Sequence, residues 1–252
     1  MHRRWYWVLA TVMVLAMAAT LEPVFRPGSR SRTGEDLPWQ ITRTGDTVEV
    51  FGLTLGETTL AGAIDKLGQR YELALFLDRD HTPSLEAYFR AVSLGGLSAR
   101  MVLNLDLRRD ILRHLPGADA PGKPMPSGSR RFALPETPPL AVARAPIVAL
   151  TYVPVASFDQ DLVERHFGLP AERLRGTDTI RHWLYPELGL AISWEDGQAV
   201  FHYVRPTAFS QLRDRLLSTT DVTADASNVL DDARHHGRGW LRVVWPGDRS
   251  LA

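Results

Sequence analysis

Histidine is the residue type best suited to acid–base or metal chemistry near neutral pH, and three histidines fall within one short stretch. His166 lies at the end of a predicted helix, and His182 and His202 lie on outer strands of one predicted meander. A middle strand would hold the two strand histidines roughly 10 Å apart, which is too far to share an ion. The spacing therefore predicts no metal site, and no cofactor is assigned.

Carboxylates and serines give no catalytic arrangement either. Three pairs of acidic residues that are close in sequence fall in turn or tail contexts, where such residues are common. The pairs are Asp78 and Asp80, Glu195 and Asp196, and Asp231 and Asp232. The serines lack the Gly-x-Ser-x-Gly elbow, and Gly95-Gly96 has no following Lys-Ser or Lys-Thr for a phosphate loop. We therefore predict a protein without catalytic turnover, with a periplasmic hydrolase of unknown substrate as the alternative.

Aromatic side chains on the same meander are the remaining candidates for function. Trp183, Tyr185, Phe201 and Tyr203 are assigned as partner-binding residues. Alternation along the last strand separates Phe201 and Tyr203 from His202, so one set faces the helices and the other faces away. An exposed aromatic set would form a binding face, because Trp and Tyr dominate interface energetics. The alternative is that these aromatics fill the core or the contact between two repeats.

The elements that would position these residues form a helix–meander–helix unit. Ser157 and Gln160 predict a capping box, and the helix ends at Phe167-Gly168-Leu169-Pro170. A polar loop is predicted over residues 173–178. Strands follow at 180–185, 188–194 and 198–204, with an Asp-Gly hairpin at 196–197 between the last two. Thr207 is predicted to cap the second helix.

A similar order of elements occurs about one hundred residues earlier. Thr58 or Thr59 would cap a helix that ends at Gly68, and strands are predicted at 71–77, 84–92 and 97–105. The sequence thus predicts an α+β protein with two tandem helix/antiparallel-sheet repeats after an N-terminal membrane segment. The predicted boundaries are 1–25 for the signal peptide or anchor, 26–46 for a flexible spacer, 47–117 for the first repeat, 118–146 for a Pro-rich linker, 147–217 for the second repeat and 218–252 for a mostly disordered tail.

The start of the chain indicates export. His2, Arg3 and Arg4 precede an uncharged run over residues 5–21, which is longer than a usual signal core and slightly shorter than a full span. Cleavage near Ala18 and retention as an anchor both stay open. We expect a protein of the bacterial inner membrane facing the periplasm, or of the periplasm if the segment is cleaved.

The amino-acid composition limits the classes of partner that we expect. The chain has 29 basic and 29 acidic residues and no cysteine. Without a basic stripe, nucleic acid is disfavoured as a partner, and without cysteine there is no lipidated N-terminal thiol. The expected partner is an envelope protein or lipid, with membrane contact through residues 5–21 if they are retained.

One family resemblance follows from these motifs. The Phe167-Gly168-Leu169-Pro170 helix end, the Trp183/Tyr185 strand, Gly189-Leu190 and the Asp196-Gly197 hairpin resemble the SmpA/OmlA (BamE) kind of envelope protein. Two such units in tandem are similar to the β-lactamase inhibitor protein architecture. The resemblance implies helices packed on an antiparallel sheet and a role in binding other proteins.

Overall fold

The computed structural model describes residues 36–226, apart from 79–80, 113, 116–121, 126–127, 136, 176–179 and 196; for 195 and 218–226 only the backbone is described. The helices are α1 (Leu60–Leu67), α2 (Arg109–Leu112), α3 (Leu140–Ala143), α4 (Gln160–Phe167) and α5 (Phe209–Ala226). A small sheet comprises β1 (Ile41–Thr44), β2 (Thr47–Val50) and β3 (Leu53–Thr54).

Ten further strands form a single large sheet. They are β4 (Tyr71–Leu77), β5 (Pro83–Leu94), β6 (Leu97–Leu105), β7 (Lys123–Pro124), β8 (Arg130–Ala133), β9 (Ile147–Pro154), β10 (Glu172–Arg175), β11 (Arg181–Tyr185), β12 (Leu190–Glu195) and β13 (Gln198–Val204). Their order is β10-β11-β12-β13-β9-β6-β5-β4-β8-β7, and every paired neighbour is antiparallel. The predicted α+β class is confirmed. Both predicted meanders lie in this one sheet, with β9 pairing to β6 on one side and to β13 on the other.

One face of the large sheet, called here the first face, carries the main core. Strand alternation puts large apolar side chains on it, and the small sheet and helices α1, α3 and α4 pack against them. Phe51, in the two-residue β2–β3 turn, has φ 55°, which is unusual for a bulky residue. Its buried ring lies 4.7 Å from that of Tyr152, and this contact offsets the unfavourable turn conformation.

The opposite face, called the second face, carries a smaller apolar cluster beneath the start of α5. Phe209 and Leu212 of the helix pack there on small and branched sheet residues, which are Ala149, Leu184, Ala191 and Val204. Arg213 of the same helix makes two 2.8 Å bonds to the carboxylate of Glu172 on β10. The second face is therefore covered by this chain at its β10–β13 end.

Helices α1 and α4 have matching caps. Thr59 caps α1 by accepting from the Gly62 N–H, and Gly68 ends it. The predicted Ser157 cap is wrong, because Asp159 caps α4 and accepts from the Leu162 N–H at 2.7 Å. A carboxylate next to the first turn also interacts favourably with the helix dipole, an advantage that a serine lacks.

Three segments predicted as irregular contain regular structure. The predicted linker 118–146 includes β7, β8 and α3, and β8 extends the large sheet by pairing with β4. The predicted spacer ends in β1, which pairs with β2. The predicted loop 173–178 begins inside β10. These stretches are short and rich in Pro or Arg, a composition that is typical of loops. Their strands depend on a partner strand for their hydrogen bonds, so local composition does not predict them.

The last described helix also differs from its prediction. A 3₁₀ turn covers Pro206–Ala208, and α5 begins at Phe209 rather than directly after a Thr207 cap. Thr207 instead donates through its hydroxyl to Asp46 at 2.8 Å. The helix continues to Ala226, so the predicted boundary at residue 217 falls within it.

Among the described residues, no helix is both long and apolar enough to cross a membrane. The predicted segment at 5–21, the cleavage site near Ala18 and the tail beyond residue 226 lie outside the described residues.

Gly189, next to β12, provides a test of the close backbone packing between this residue and the end of β13. Gly189 has φ 61°, and a Cβ at this position would overlap the carbonyl oxygen of Val204. Gly197 also has positive φ but open space around it. We expect Gly197→Ala to lower the free energy of unfolding by about 1–2 kcal/mol through backbone strain alone. Gly189→Ala should lower it by about 3 kcal/mol, since the Val204 backbone must also move; urea unfolding of the two variants gives the comparison.

Candidate functional site

The four aromatic residues assigned to partner binding lie in the core. Trp183 and Tyr185 are 5% exposed, and Phe201 and Tyr203 are 0% exposed. They face α4 and the small sheet, with Phe201 packed edge-on against Phe158 at 5.3 Å. The expectation of an exposed aromatic face is therefore wrong, and the core alternative describes these residues.

The hydroxyl groups of the two tyrosines are hydrogen-bonded within the chain. The Tyr203 hydroxyl donates to the carbonyl oxygen of Pro38 at 2.7 Å, and the Tyr185 hydroxyl donates to that of Gly168 at 3.1 Å. Burial raises the pKa of Tyr185 to about 12, and burial also raises the pKa of Tyr203 well above its usual value. Both phenols are thus neutral hydrogen-bond donors that hold α4 and the chain before β1 onto the sheet.

The three histidines of the second half lie in two separate places. His166 is on α4, on the first-face side, where its ring stacks on Trp39 at 3.8 Å. His182 and His202 are on the second face, and β12 runs between their strands, as predicted. The described residues contain no group of three or more His, Asp or Glu side chains placed to hold a metal ion.

The two second-face histidines are buried and hydrogen-bonded to hydroxyls. His182 Nδ1 lies 2.7 Å from Ser193 Oγ, and His202 Nδ1 lies 3.4 Å from Thr151 Oγ1. Burial lowers the pKa of His182. Burial, followed by the charge of His182, lowers the pKa of His202 to about 3. Both rings are therefore neutral at physiological pH, and protonating either one opposes folding.

These histidines belong to a wider set of buried polar side chains on the second face. The set spans six neighbouring strands from β5 to β11 and comprises Ser84, Glu86, Asn104, Thr151, His202, Ser193 and His182. Three of its atoms have no hydrogen-bond partner among the described residues: Ser84 Oγ, Asn104 Oδ1 and His182 Nε2. Asn104 contacts Glu86 at 3.5 Å, the limit for a hydrogen bond.

The His182–Ser193 contact is the shorter of the two histidine–hydroxyl pairings in this set, and such a pairing resembles nucleophile chemistry. A base at hydrogen-bond distance could activate a hydroxyl, but such a base is normally oriented by a third group on its other ring nitrogen. His182 Nε2 has no such partner in the described structure, and both side chains are at most 7% exposed. This arrangement favours a packing role over substrate turnover.

A different set of residues is exposed at the β10 end of the sheet. Arg173, Arg175 and Arg181, called here the arginine edge, are all exposed. Antiparallel pairing puts Arg175 directly opposite Arg181, and Arg173 opposite Trp183. Residues directly opposite in an antiparallel pair project from the same face, so all three side chains lie on the first-face side.

Among the described residues, the arginine edge makes one ion pair, through Arg173. Arg173 lies 3.8 Å from the Glu164 carboxylate and 4.6 Å from the centre of the Trp183 ring, a cation–π contact. Arg175 and Arg181 form no ion pair with any residue that the structure describes. Like charges opposite one another lower sheet stability, so this pairing is unfavourable for the isolated fold.

Sequence reasoning missed the arginine edge because Arg173 and Arg175 were assigned to a loop. Their spacing of two residues was the available signal, since alternation in a strand places both on one face. The buried polar set was missed for a related reason. Ser84 and Glu86 alternate with apolar residues at the start of β5, but alternation alone does not say that the polar side of the strand is buried.

Comparisons with protein-family models, curated proteins and solved structures find no match. The resemblance to SmpA/OmlA envelope proteins consequently depends on the motif residues of this sequence.

Proposed function

We propose that this chain is a non-catalytic exported envelope protein that acts through contacts with other proteins or with lipid, as a scaffold or an assembly- or inhibitor-type binding module. The N-terminal run at residues 5–21 supports export, with residence in the inner membrane facing the periplasm, or in the periplasm after cleavage near Ala18.

The proposal includes two tandem repeats after the membrane segment. Helices α1 and α4 each have eight residues, begin one hundred residues apart and end at a glycine with positive φ. A meander of three paired strands follows each helix, β4-β5-β6 in one half and β11-β12-β13 in the other, and the second half has the additional strand β10 before its meander. This correspondence in order and spacing supports duplication of one small unit.

The arginine edge is the observation that carries the contact function. Its three guanidinium groups are exposed, two of them lack an acidic partner among the described residues, and Arg is enriched at protein interfaces. The buried histidines and aromatics, in contrast, are closed within the fold. An exposed, poorly neutralised edge provides a surface for a partner, whereas the interior provides none.

Site-specific photo-crosslinking tests the proposal. A photoreactive amino acid at Ala171, exposed and next to β10, is expected to give a reproducible crosslinked product in intact envelopes. The matched control is the same amino acid at Lys123, exposed on β7 at the other end of the sheet. Equal yields from the two positions, or no product from either, would count against a contact function at this edge.

Export has its own test. Alkaline phosphatase fused to the end of the full chain is expected to be active, because that enzyme matures only outside the cytoplasm. An inactive but intact fusion would remove the envelope assignment. N-terminal sequencing of the mature chain decides between a cleaved signal and an anchor.

The His182–Ser193 contact favours one second candidate, a periplasmic hydrolase. If Ser193 were a nucleophile, a fluorophosphonate probe would label the chain, and Ser193→Ala would abolish the labelling. We expect no labelling above that of the Ser193→Ala variant, because the hydroxyl is buried and its histidine is unoriented. Labelling that disappears in this variant but persists in Ser157→Ala, an exposed serine, would establish the hydrolase instead.

A further inference from the structure

We propose that β10 and the arginine edge bind an extended acidic segment of a partner protein, which adds to the sheet as an antiparallel strand. This inference deepens the proposed contact function by naming the partner's chemistry, and it rests on that function. It starts from the position of β10, which comes first in the strand order and pairs with β11 alone among the described strands.

An edge strand offers backbone hydrogen bonds to a further strand. In an antiparallel ladder, alternate residues of β10 direct their N–H and C=O groups away from β11. A segment that pairs with them gains main-chain hydrogen bonds that are independent of its sequence. Its specificity then comes from side chains opposite those of β10.

The side chains of β10 define what the added strand must carry. Arg173 and Arg175 project to the first-face side, while Leu174 projects to the second face, where it packs beside the α5 cluster. A strand opposite them therefore has acidic residues at alternate positions and an apolar residue between them. Each opposite-charge pair strengthens binding about threefold, within the usual range for cross-strand pairs.

The same charges disfavour pairing of this edge with the edge of another copy of the chain. Two β10 strands pairing in antiparallel fashion would bring the arginines of one copy close to those of the other, and like charges across a ladder are repulsive. An acidic residue in the added strand opposite Arg175 would instead neutralise that arginine and so relieve its repulsion with Arg181, which faces it without a described counter-ion. The Arg175–Arg181 pair therefore lowers the stability of the isolated chain but favours the binding of an acidic partner.

Peptide binding to the full chain in uncharged detergent micelles, followed by fluorescence anisotropy at low salt, tests the inference. The first peptide alternates, Thr-Glu-Val-Glu-Val-Glu-Thr, and the second has the same composition in blocks, Thr-Glu-Glu-Glu-Val-Val-Thr. We expect the alternating peptide to bind about tenfold more tightly, because only it can present all its acids on one face. A third, alternating peptide with N-methylated amides should not bind, since it cannot donate to the edge.

Arg175→Glu distinguishes recognition from structural damage. It should weaken the alternating peptide about tenfold, and it should raise the thermal unfolding midpoint because Glu opposite Arg181 replaces a like-charge pair. Arg130→Glu makes the same charge change at an exposed site on β8 and should leave peptide affinity unaltered.

Three results would overturn the inference: equal affinity for the alternating and block peptides, undiminished binding of the N-methylated peptide, or unchanged binding by Arg175→Glu. Because purified components are used, such a result leaves the crosslinking test of the contact function intact. Failure of crosslinking in envelopes, with peptide binding as expected, would instead remove the proposed cellular role.

Discussion

Lowering the pH from 7 to 4.5 is expected to reduce the free energy of unfolding by about 3 kcal/mol through His202 alone. The folded-state pKa of this histidine is about 3, against 6.5 for an ordinary histidine, because the ring is buried. Below pH 6.5 the unfolded chain therefore takes up a proton that the folded chain does not. The loss begins near pH 6.5, reaches about 4 kcal/mol at pH 3 and levels off at roughly 5 kcal/mol at lower pH.

His202→Gln tests this assignment, because glutamine is polar but does not titrate. Urea unfolding at pH 7 and at pH 4.5, followed by tryptophan fluorescence, should show that the acid-induced loss is about 3 kcal/mol smaller in the variant. His182, whose pKa is also lowered by burial, adds to the loss that remains. His114→Gln, at an exposed position, is the matched control and should retain the full acid sensitivity. A His202→Gln protein as acid-sensitive as the parent would show that the ring is not held neutral by the fold.

Phe201→Ala is expected to lower the free energy of unfolding by about 3–5 kcal/mol, the range for truncating a fully buried aromatic. The ring lies at the centre of the first-face core, within about 5–6 Å of the rings of Phe158, Phe167 and Tyr152. Those neighbours come from β9, from α4 and from the segment just before α4, so relaxation into the cavity would require separate elements to move together. Urea unfolding at neutral pH measures the change.

Two control variants are compared with Phe201→Ala. Phe201→Leu keeps most of the buried volume and should lower the free energy of unfolding by less than about 1.5 kcal/mol. Val155→Ala, at a residue 72% exposed, should change it by no more than about 0.5 kcal/mol. If Phe201 itself touched a partner, Phe201→Leu would lose crosslinking at Ala171 while remaining folded. We expect it to retain that crosslinking.

The strands with clear alternation and a glycine turn were predictable from the sequence. The limits of β4, β6 and β13 agree with prediction, and β6 and β13 each begin directly after the glycine of a hairpin turn. Thr59 was predicted as one of two alternative caps for α1, and it is the cap. The cap of α4 was assigned two residues early because Ser157 and Asp159 both suit that position.

The environment of each sheet face was harder to predict. Alternation separates Phe201 from His202, but it does not say which set a covering layer buries. Here both sets are buried, one under α4 and the small sheet, the other on the second face. The small sheet depends on Phe51 in a turn conformation rare for phenylalanine, which no local propensity would suggest.

The arginine edge could not be found by composition, since a charged run of four residues resembles a loop. The arginine edge forms because the strand register puts Arg175 opposite Arg181. That register depends on β11, which begins several residues after β10. A strand at the border of a sheet is short and charged in many proteins, as a defence against aggregation.

The central position of β9 has a consequence for synthesis. The edge of β6 that β9 covers is complete once Leu105 has emerged, but β9 begins only at Ile147, 42 residues later. At translation rates of about 5–20 residues per second, this apolar edge stays open for roughly 2–8 seconds in every nascent chain. During that interval the unfinished protein presents an aggregation-prone border, and chaperones that bind extended hydrophobic segments would protect it there.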